Sequence, residues 1–202
     1  MPGRRQNSAL PVLLPKDGQR IIAWKNGGGM TREVVRHPAG SSLDDFAWRI
    51  SVAAVSTAGP FSAFPGVDRS LALIEGSGLV LQRDGQRATL TSCTPAFEFA
   101  GEEQVEGFLT AGTVTDFNVM TRRQWFTLRL ERRTVSGSLR IPHFGHAVVV
   151  YVVHGTPCLL FPQWTAAPLM PGDAVLLTAS GQRLTLHATQ AEILLVHIFS
   201  NS

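Results

Sequence analysis

The residues best suited to chemistry lie in a glycine-rich segment, residues 24–33. Its three successive glycines leave backbone N–H groups accessible and allow the chain to wrap closely around a ligand. It is not a phosphate-binding loop, because the Gly-x-x-x-x-Gly-Lys-Ser/Thr pattern is missing and no helical pattern follows. An Asn-Gly-Gly-Gly stretch alone is commonly a turn, but its aromatic and cationic neighbours support a binding role equally well. The candidates here are Trp24, Asn26, Gly27, Gly28, Gly29 and Arg32.

A second cluster occupies residues 59–69, where prolines and glycines alternate with polar and aromatic side chains. Its candidates are Phe61, Ser62, Asp68 and Arg69. A rigid connection in which Asp68 and Arg69 pair locally would explain these residues as well as a binding role does. The two interpretations stay open on sequence alone.

A third candidate region consists of two segments with alternating side chains. On a strand, Asp116 and Asn118 share one face with Met120, because successive side chains point to opposite sides. By the same rule, Arg49 and Ser51 face away from the large apolar residues between which they lie. Such a polar row either lines a pocket or faces water.

Metal binding and nucleophilic catalysis find little support. The close pair His143 and His146 has no cysteine or carboxylate near it in sequence, whereas zinc usually needs three or four protein ligands. There is no Gly-x-Ser-x-Gly elbow, and neither Cys93 nor Cys158 has an electropositive local setting. We therefore predict no metal, no cofactor and two reduced thiols.

Short apolar or alternating runs, bounded by Gly, Pro, Asp and Ser, recur along the chain, and helical periodicity is almost absent. This pattern predicts an all-β protein with little helix. Gly76 and Gly155 each lie in a short turn between two apolar runs, which predicts two β-hairpins. Pro95 and Pro171 follow these turns at a nearly constant offset, so we expect two similar, stacked barrels. The apolar run over residues 191–199 predicts a buried last strand.

The composition fits a folded protein without disulfides. Of 202 residues, 44% are hydrophobic and 16% are charged, which excludes a disordered chain. No apolar run could span a membrane, and the apolar stretch near residue 10 is too short for a signal peptide, so we expect a cytoplasmic protein. The net charge is only +3. The arginines of residues 122–140 could touch nucleic acid, but a solvated strand face is the interpretation that we favour.

Taken in order, the three clusters resemble the HutD/Ves-like family. The matching segments are Trp-x-Asn-Gly-Gly-Gly-x-Thr-Arg-Glu at residues 24–33, Trp-Arg-Ile-Ser at 48–51, Gly-Pro-Phe-Ser and Pro-Gly-x-Asp-Arg within 59–69, and Asp-Phe-Asn-x-Met at 116–120. The resemblance covers about residues 10–123, and the remainder shows only general cupin character. It implies a bicupin: two stacked double-stranded β-helix barrels in one continuous fold, at about 10–123 and 124–202. It also implies an association with bacterial histidine utilisation.

Where metal-binding cupins carry His-x-His and Glu in the first barrel, this chain has Phe, Ser, Pro and Asp, so the usual transition-metal ligands are lacking. We expect a metal-free regulatory protein that binds a small carboxylate of histidine degradation, such as urocanate or a formylated glutamate. Arg49 would donate charge-assisted hydrogen bonds, Ser62 and the glycine amides would add donors, and Trp24 and Phe61 would form an apolar wall. The pocket residues implied by the matching motifs are Trp24, Asn26, Arg32, Arg49, Ser51, Phe61, Ser62, Asp68, Arg69, Asp116 and Asn118.

Two alternatives remain. The first is a metal-independent hydrolase or isomerase that uses Asp68 or Asp116 as a general base, which requires a desolvated carboxylate with a raised pKa. The second is an interaction module or a nucleic-acid-binding regulator. We expect no membrane partner and no nucleic acid, and a homodimer is compatible with the sequence.

Overall fold

The structure is a computed structural model that describes residues 11–24, 29–161, 164–178 and 183–201. This part of the chain is almost entirely β-strand, with one three-residue 3₁₀-helix at Lys16–Gly18. The prediction of an all-β protein with little helix is therefore confirmed. None of the helical residues that the structure describes form a segment long and apolar enough to cross a membrane.

The strands, in chain order, are β1 (Val12–Leu14), β2 (Arg20–Ala23), β3 (Gly29–His37), β4 (Trp48–Val55), β5 (Gly59–Pro60), β6 (Val67–Glu75), β7 (Leu79–Arg83), β8 (Gln86–Leu90), β9 (Phe97–Ala100), β10 (Val105–Leu109), β11 (Val114–Arg122), β12 (Phe126–Pro142), β13 (Ala147–His154), β14 (Cys158–Phe161), β15 (Trp164–Pro168), β16 (Ala174–Leu177) and β17 (Arg183–Ser200). They fall into two compact units. The motif unit consists of Asp17–Glu131 with Ser200 and Asn201, and the C-terminal unit of the described residues up to Lys16 with Arg132–Phe199.

The motif unit contains two antiparallel sheets. A six-stranded sheet has the order β2-β3-β4-β11-β6-β9, and a four-stranded sheet has the order β5-β10-β7-β8. Apolar side chains of both sheets form one buried cluster, which includes Leu71 and Leu73 of β6 and Leu79 and Leu81 of β7. Each sheet therefore presents one face to this shared core, which fixes the direction of every second side chain.

The C-terminal unit is built on a seven-stranded sheet of order β1-β16-β13-β17-β14-β15, with β12 also paired to β17. Strand β1 pairs with β16, so the first strand of the chain belongs with the last third of the sequence. Val148, Val150 and Val152 alternate into a buried apolar cluster together with Ile193 and Leu195 of β17. The end of β17 is buried, as the apolar run over residues 191–199 predicts.

The two predicted β-hairpins are wrong. Strand β6 does not pair with β7, because β6 lies between β11 and β9 in one sheet and β7 lies between β10 and β8 in the other. Strands β13 and β14 are likewise separated by β17. The glycines of both connections are required for another reason. Gly76 has φ +102° and a Cβ there would lie 2.9 Å from the backbone of Val114, and Gly155 has φ +78° and would meet Gln190 O at 2.5 Å.

Candidate functional site

The inner face of the six-stranded sheet carries a row of two arginines around a methionine. Met120 of β11 lies directly opposite Arg49 of β4 on one side and Arg69 of β6 on the other. Directly opposed residues of antiparallel strands share a face, so the three side chains point the same way. All three residues are buried.

Two further rows continue towards the apolar core. Asn118 lies opposite Ser51 and Leu71, and Asp116 lies opposite Ala53 and Leu73. Because Leu71, Leu73 and Ala53 belong to the buried cluster, the polar side chains of the same rows face the interior of the motif unit. The structure thus brings together Arg49, Ser51, Arg69, Asp116 and Asn118, five of the residues predicted from the sequence. We call these five residues the polar cluster.

Arg69 is enclosed by aromatic rings. Its guanidinium carbon lies 4.7 Å from the ring centroid of Phe99, 5.2 Å from that of Phe61 and 5.7 Å from that of Phe64. Its Nη1 donates to the carbonyl oxygen of Ser62 at 3.1 Å. Burial lowers the pKa of Arg69 to about 10, and Arg49 acts in the same direction, whereas Asp116 opposes the shift. The side chain therefore remains a cation at neutral pH.

Arg49 is held by a carboxylate that the sequence analysis did not select. Its Nε donates to Glu33 Oε2 at 2.8 Å, and its Nη1 lies 4.0 Å from Met120 Sδ. Glu33 Oε1 also lies 3.4 Å from Arg36 Nη2. Glu33 lies in the glycine-rich motif, and its alternation with Thr31 along β3 could have placed it on the inner face. Arg49 is consequently less available to a ligand than expected.

Asp116 is the most strongly perturbed carboxyl group of the cluster. Asp116 is only 2% exposed to solvent. Desolvation raises its pKa from 3.8 to about 7, although the nearby charge of Arg69 acts in the opposite direction. Burial disfavours the charged form of any carboxylic acid. Near neutral pH Asp116 therefore exchanges between a neutral hydrogen-bond donor and an anion.

The glycine-rich segment is partly visible. Trp24 and Gly29 close the β2–β3 connection through a backbone hydrogen bond of 2.9 Å, and Trp24 Nε1 donates to Thr31 Oγ1 at 2.8 Å. A Cβ on Gly29 would lie 2.4 Å from Ala54 O and 3.1 Å from the Trp24 ring, so this position requires glycine for space. The predicted site residues Asn26, Gly27 and Gly28 lie outside the described residues.

Three predicted residues contribute no side chain to the polar cluster. Arg32 pairs with Val52 of β4 and Ile21 of β2, on the face opposite to Thr31 and Glu33. Asp68 lies on the outer face of β6, is 40% exposed in its side chain and accepts a hydrogen bond from Arg123 Nε at 2.7 Å. Ser62 is exposed and contributes its carbonyl oxygen, rather than its hydroxyl group, through the contact with Arg69.

Two buried polar atoms of the cluster have no hydrogen-bond partner among the residues that the structure describes: Arg69 Nε and Asn118 Oδ1. One is a donor and the other an acceptor, and leaving either unsatisfied costs about 1–3 kcal/mol. A polar guest that accepts from Arg69 Nε and donates to Asn118 Oδ1 would satisfy both atoms. Within the described ranges, no group of three or more His, Cys, Asp or Glu side chains could hold a metal ion.

The family model described as HutD matches residues 17–196 of the chain. An uncharacterized 21.2 kDa protein in the hutC 3′ region of Pseudomonas putida is 40% identical over 124 residues, which are 61% of this chain and 64% of that protein. Protein Ves of Escherichia fergusonii is 42% identical over 104 residues, 50% of this chain and 53% of that protein. The chain thus spans just under two thirds of the first relative and about half of the second.

Two solved structures indicate the fold. HutD from Pseudomonas fluorescens SBW25, in a formate condition, has a TM-score of 0.81 and 28% identity and covers 96% of this chain and 100% of its own. A cupin 2 conserved barrel domain protein from Leptotrichia buccalis has a TM-score of 0.58 at 9% identity, covering 89% of this chain and 96% of its own. At this low identity the second match concerns the fold alone, which is of the cupin type.

Proposed function

Because the chain belongs to the HutD family, which is associated with histidine utilisation, we propose that it binds a small carboxylate of histidine degradation without a metal and regulates that pathway. The binding site is the polar cluster. Urocanate and N-formylglutamate are the candidate ligands that follow from this association. Each carries a carboxylate together with an N–H group.

One observation carries the proposal: a buried guanidinium donor, Arg69 Nε, has no partner among the described residues and lies in the same cluster as the unsatisfied acceptor Asn118 Oδ1. A carboxylate accepts from the first, and the N–H group of the same molecule donates to the second. Hydrogen bonds between charged groups are about twice as strong as neutral ones. Both atoms are shielded from water. We infer that a ligand enters by local movement of the segment that carries Phe61, Ser62 and Phe64, since these three residues contact Arg69.

The test is thermal unfolding of the wild-type protein with formate, urocanate or N-formylglutamate. A ligand at one hundred times its Kd stabilises by about 2.7 kcal/mol, which at this chain length raises Tm by about 5–10 °C. Arg69→Met keeps the length of the side chain among the three rings but removes the donors. We expect the ligand-induced shift to disappear in this variant.

Arg129→Met is the matched control, because the Arg129 side chain is 69% exposed and pairs with Glu131, which is not a residue of the polar cluster. It should retain the full ligand shift. Arg49→Met tests the prediction that Arg49 binds the carboxylate. Since Arg49 is already paired with Glu33, we expect a smaller loss of the ligand-induced Tm shift than for Arg69→Met. Equal ligand shifts in the wild type, Arg49→Met and Arg69→Met would refute the proposal.

The pKa of Asp116 favours a second candidate function, a metal-independent hydrolase or isomerase. A general base is most effective when its pKa lies near the working pH, and the pKa of Asp116 is about 7. Asp68 is exposed and ion-paired, so it lacks the desolvation that this role requires. Turnover of histidine-pathway intermediates by metal-stripped protein, lost in Asp116→Asn with binding retained, would establish this function over simple binding.

We also propose the finer architecture that the family resemblance implies, a bicupin in which each unit forms one double-stranded β-helix barrel. The separate apolar clusters of the two units support it. A cytoplasmic location and a homodimer remain predictions, as does the absence of a nucleic-acid partner. Light scattering of the purified protein and a binding titration with duplex DNA at several salt concentrations test the last two.

A further inference from the structure

Strand β9 forms one edge of the six-stranded sheet in the motif unit. The backbone N–H and C=O groups of its odd-numbered residues point towards β6. Phe99 lies opposite Arg69, and the N–H of Gly101, two residues further on, donates to Val67 O at 2.6 Å. The backbone groups of Glu98 and Ala100 therefore point away from the sheet. An edge strand with such free groups is a template for another strand.

Glu103 occupies the place of a neighbouring strand at Ala100. The backbone N–H of Glu103 donates to Ala100 O at 3.0 Å, and Glu103 Oε2 accepts from the N–H of Ala100 at 2.8 Å. A residue in an antiparallel sheet exchanges the same two hydrogen bonds with its directly opposed partner. One side chain and its own amide thus reproduce the pairing that a strand would supply.

Arg83 extends this arrangement by one position along the edge. It comes from the end of β7, in the other sheet, and its Nη1 lies 3.3 Å from Glu103 Oε2 and 3.5 Å from Glu98 O. Its guanidinium also lies over the ring of Phe97, 5.2 Å from the centroid. Arg83 and Glu103 are only about two thirds buried in their side chains, at 33% and 34% exposure, so solvent and other molecules reach them.

There is open space next to the same edge. A cleft of about 380 Å³ is lined by Arg83, Glu98, Ala100 and Glu103, and Leu128 of β12 lies among its other walls. Among the described residues of the motif unit, no strand pairs with the outer side of β9, where the side chains of Arg83 and Glu103 lie. If the ion pair were removed, an extended segment could therefore approach the edge.

We propose that Arg83 and Glu103 together cap the β9 edge and so prevent it from pairing with the same edge of a second copy of this chain. Two β9 strands related by a two-fold axis are antiparallel, and each can offer the other the donor and the acceptor that Glu103 supplies at Ala100. An isologous contact of this kind closes on itself as a dimer.

The test compares the wild type with Arg83→Ala/Glu103→Ala by size-exclusion chromatography with light scattering over a concentration series. We expect an additional, concentration-dependent doubling of mass in the double variant. Amide exchange of Ala100 should be about tenfold faster or more in the dilute double variant, because its hydrogen-bond acceptor is gone, and should slow again at high concentration. If the double variant does not fold, Glu103→Ala alone provides the comparison, because it also removes the acceptor of the Ala100 N–H.

Arg87→Ala/Glu102→Ala is the matched control. It removes one exposed arginine and one exposed glutamate, which bond to Gln82 and Arg123, and it leaves β9 untouched. This control should keep the mass of the wild type, as should Glu103→Gln, whose amide oxygen still accepts from Ala100. A double variant with the mass of the wild type at every concentration, or equal association in the control, would overturn the proposal.

Discussion

Ionisation of the buried Asp116 should make the protein less stable as the pH rises from about 4 to about 7. The folded protein raises the pKa of this group from 3.8 to about 7. Below that range the group is protonated in both the folded and the unfolded state, and above it the group is ionised in both. Within it the folded state binds more protons than the unfolded state, so the free energy of unfolding falls with increasing pH.

The magnitude follows from the shift. One pKa unit corresponds to about 1.4 kcal/mol, so a shift of about three units amounts to about 4 kcal/mol once the pH exceeds 7. Asp116→Asn keeps the shape and hydrogen-bonding capacity of the neutral acid but cannot ionise. We expect the variant to be nearly as stable as the wild type at pH 4.5 and to gain about 3 kcal/mol relative to it by pH 8, or about 6–12 °C in Tm.

Urea denaturation of both proteins between pH 4.5 and pH 8.5, at constant ionic strength, measures this difference. Asp68→Asn is the control, because it removes a carboxylate of the same strand pair whose side chain is 40% exposed. The gain in stability with rising pH should be specific to Asp116→Asn. If the difference between Asp116→Asn and the wild type does not grow with pH, Asp116 is not desolvated as the structure indicates.

Three further outcomes are expected. Arg122→Ala should lower the free energy of unfolding, measured by urea denaturation, by about 2 kcal/mol. The reason is that Arg122 donates to the carbonyl oxygens of Asp44, Phe46 and Pro65 and that hydrogen bonds from charged groups are strong. Replacement of the exposed Arg129 by alanine should have almost no effect. Gly29→Ala should lower Tm and change tryptophan fluorescence, because its Cβ would lie 2.4 Å from a carbonyl oxygen of β4, whereas Gly18→Ala meets nothing within 4 Å. Carboxylate affinity, measured by calorimetry, should weaken as the pH rises through about 7, because ionised Asp116 repels the anion; a pH-independent affinity in the wild type would contradict this.

The sequence predicts which side chains share a face but not what covers that face. The alternation of Asp116, Asn118 and Met120 is a local property of a strand, so it could be derived without tertiary information. Whether this polar row meets water or the interior depends on the second sheet. In the structure Asp116 is buried on one face of β11 and Phe117 on the other, a situation that the alternation alone does not distinguish from an exposed polar face.

Strand pairing is the main feature that the sequence could not provide. A glycine between two apolar runs indicates a tight connection, which is correct at Gly76 and Gly155, but it does not determine which strands become neighbours. The connection at Gly76 leads from β6 to β7 in the other sheet, and the connection at Gly155 leads from β13 to β14, which is not its neighbour. Both glycines pack against a strand that comes much later in the chain. The same limitation hid the contact of Arg49 with Glu33 and that of Arg83 with Glu103, since both join residues of different strands or connections.

The charges of the cluster give the strongest reason to expect an anion beside Arg69 rather than beside Arg49. The polar cluster contains two arginines, Arg49 and Arg69, and Arg36 lies opposite Arg49 on the neighbouring strand. Glu33 neutralises one of these three positive charges through contacts to Arg36 and Arg49. Asp116 is only partly ionised near pH 7, so the cluster keeps a positive excess. Arg49 already has a carboxylate partner, whereas Arg69 has aromatic faces, which stabilise a cation by about 0.5–2 kcal/mol each without neutralising it. An incoming carboxylate therefore gains most where the uncompensated charge lies, at Arg69.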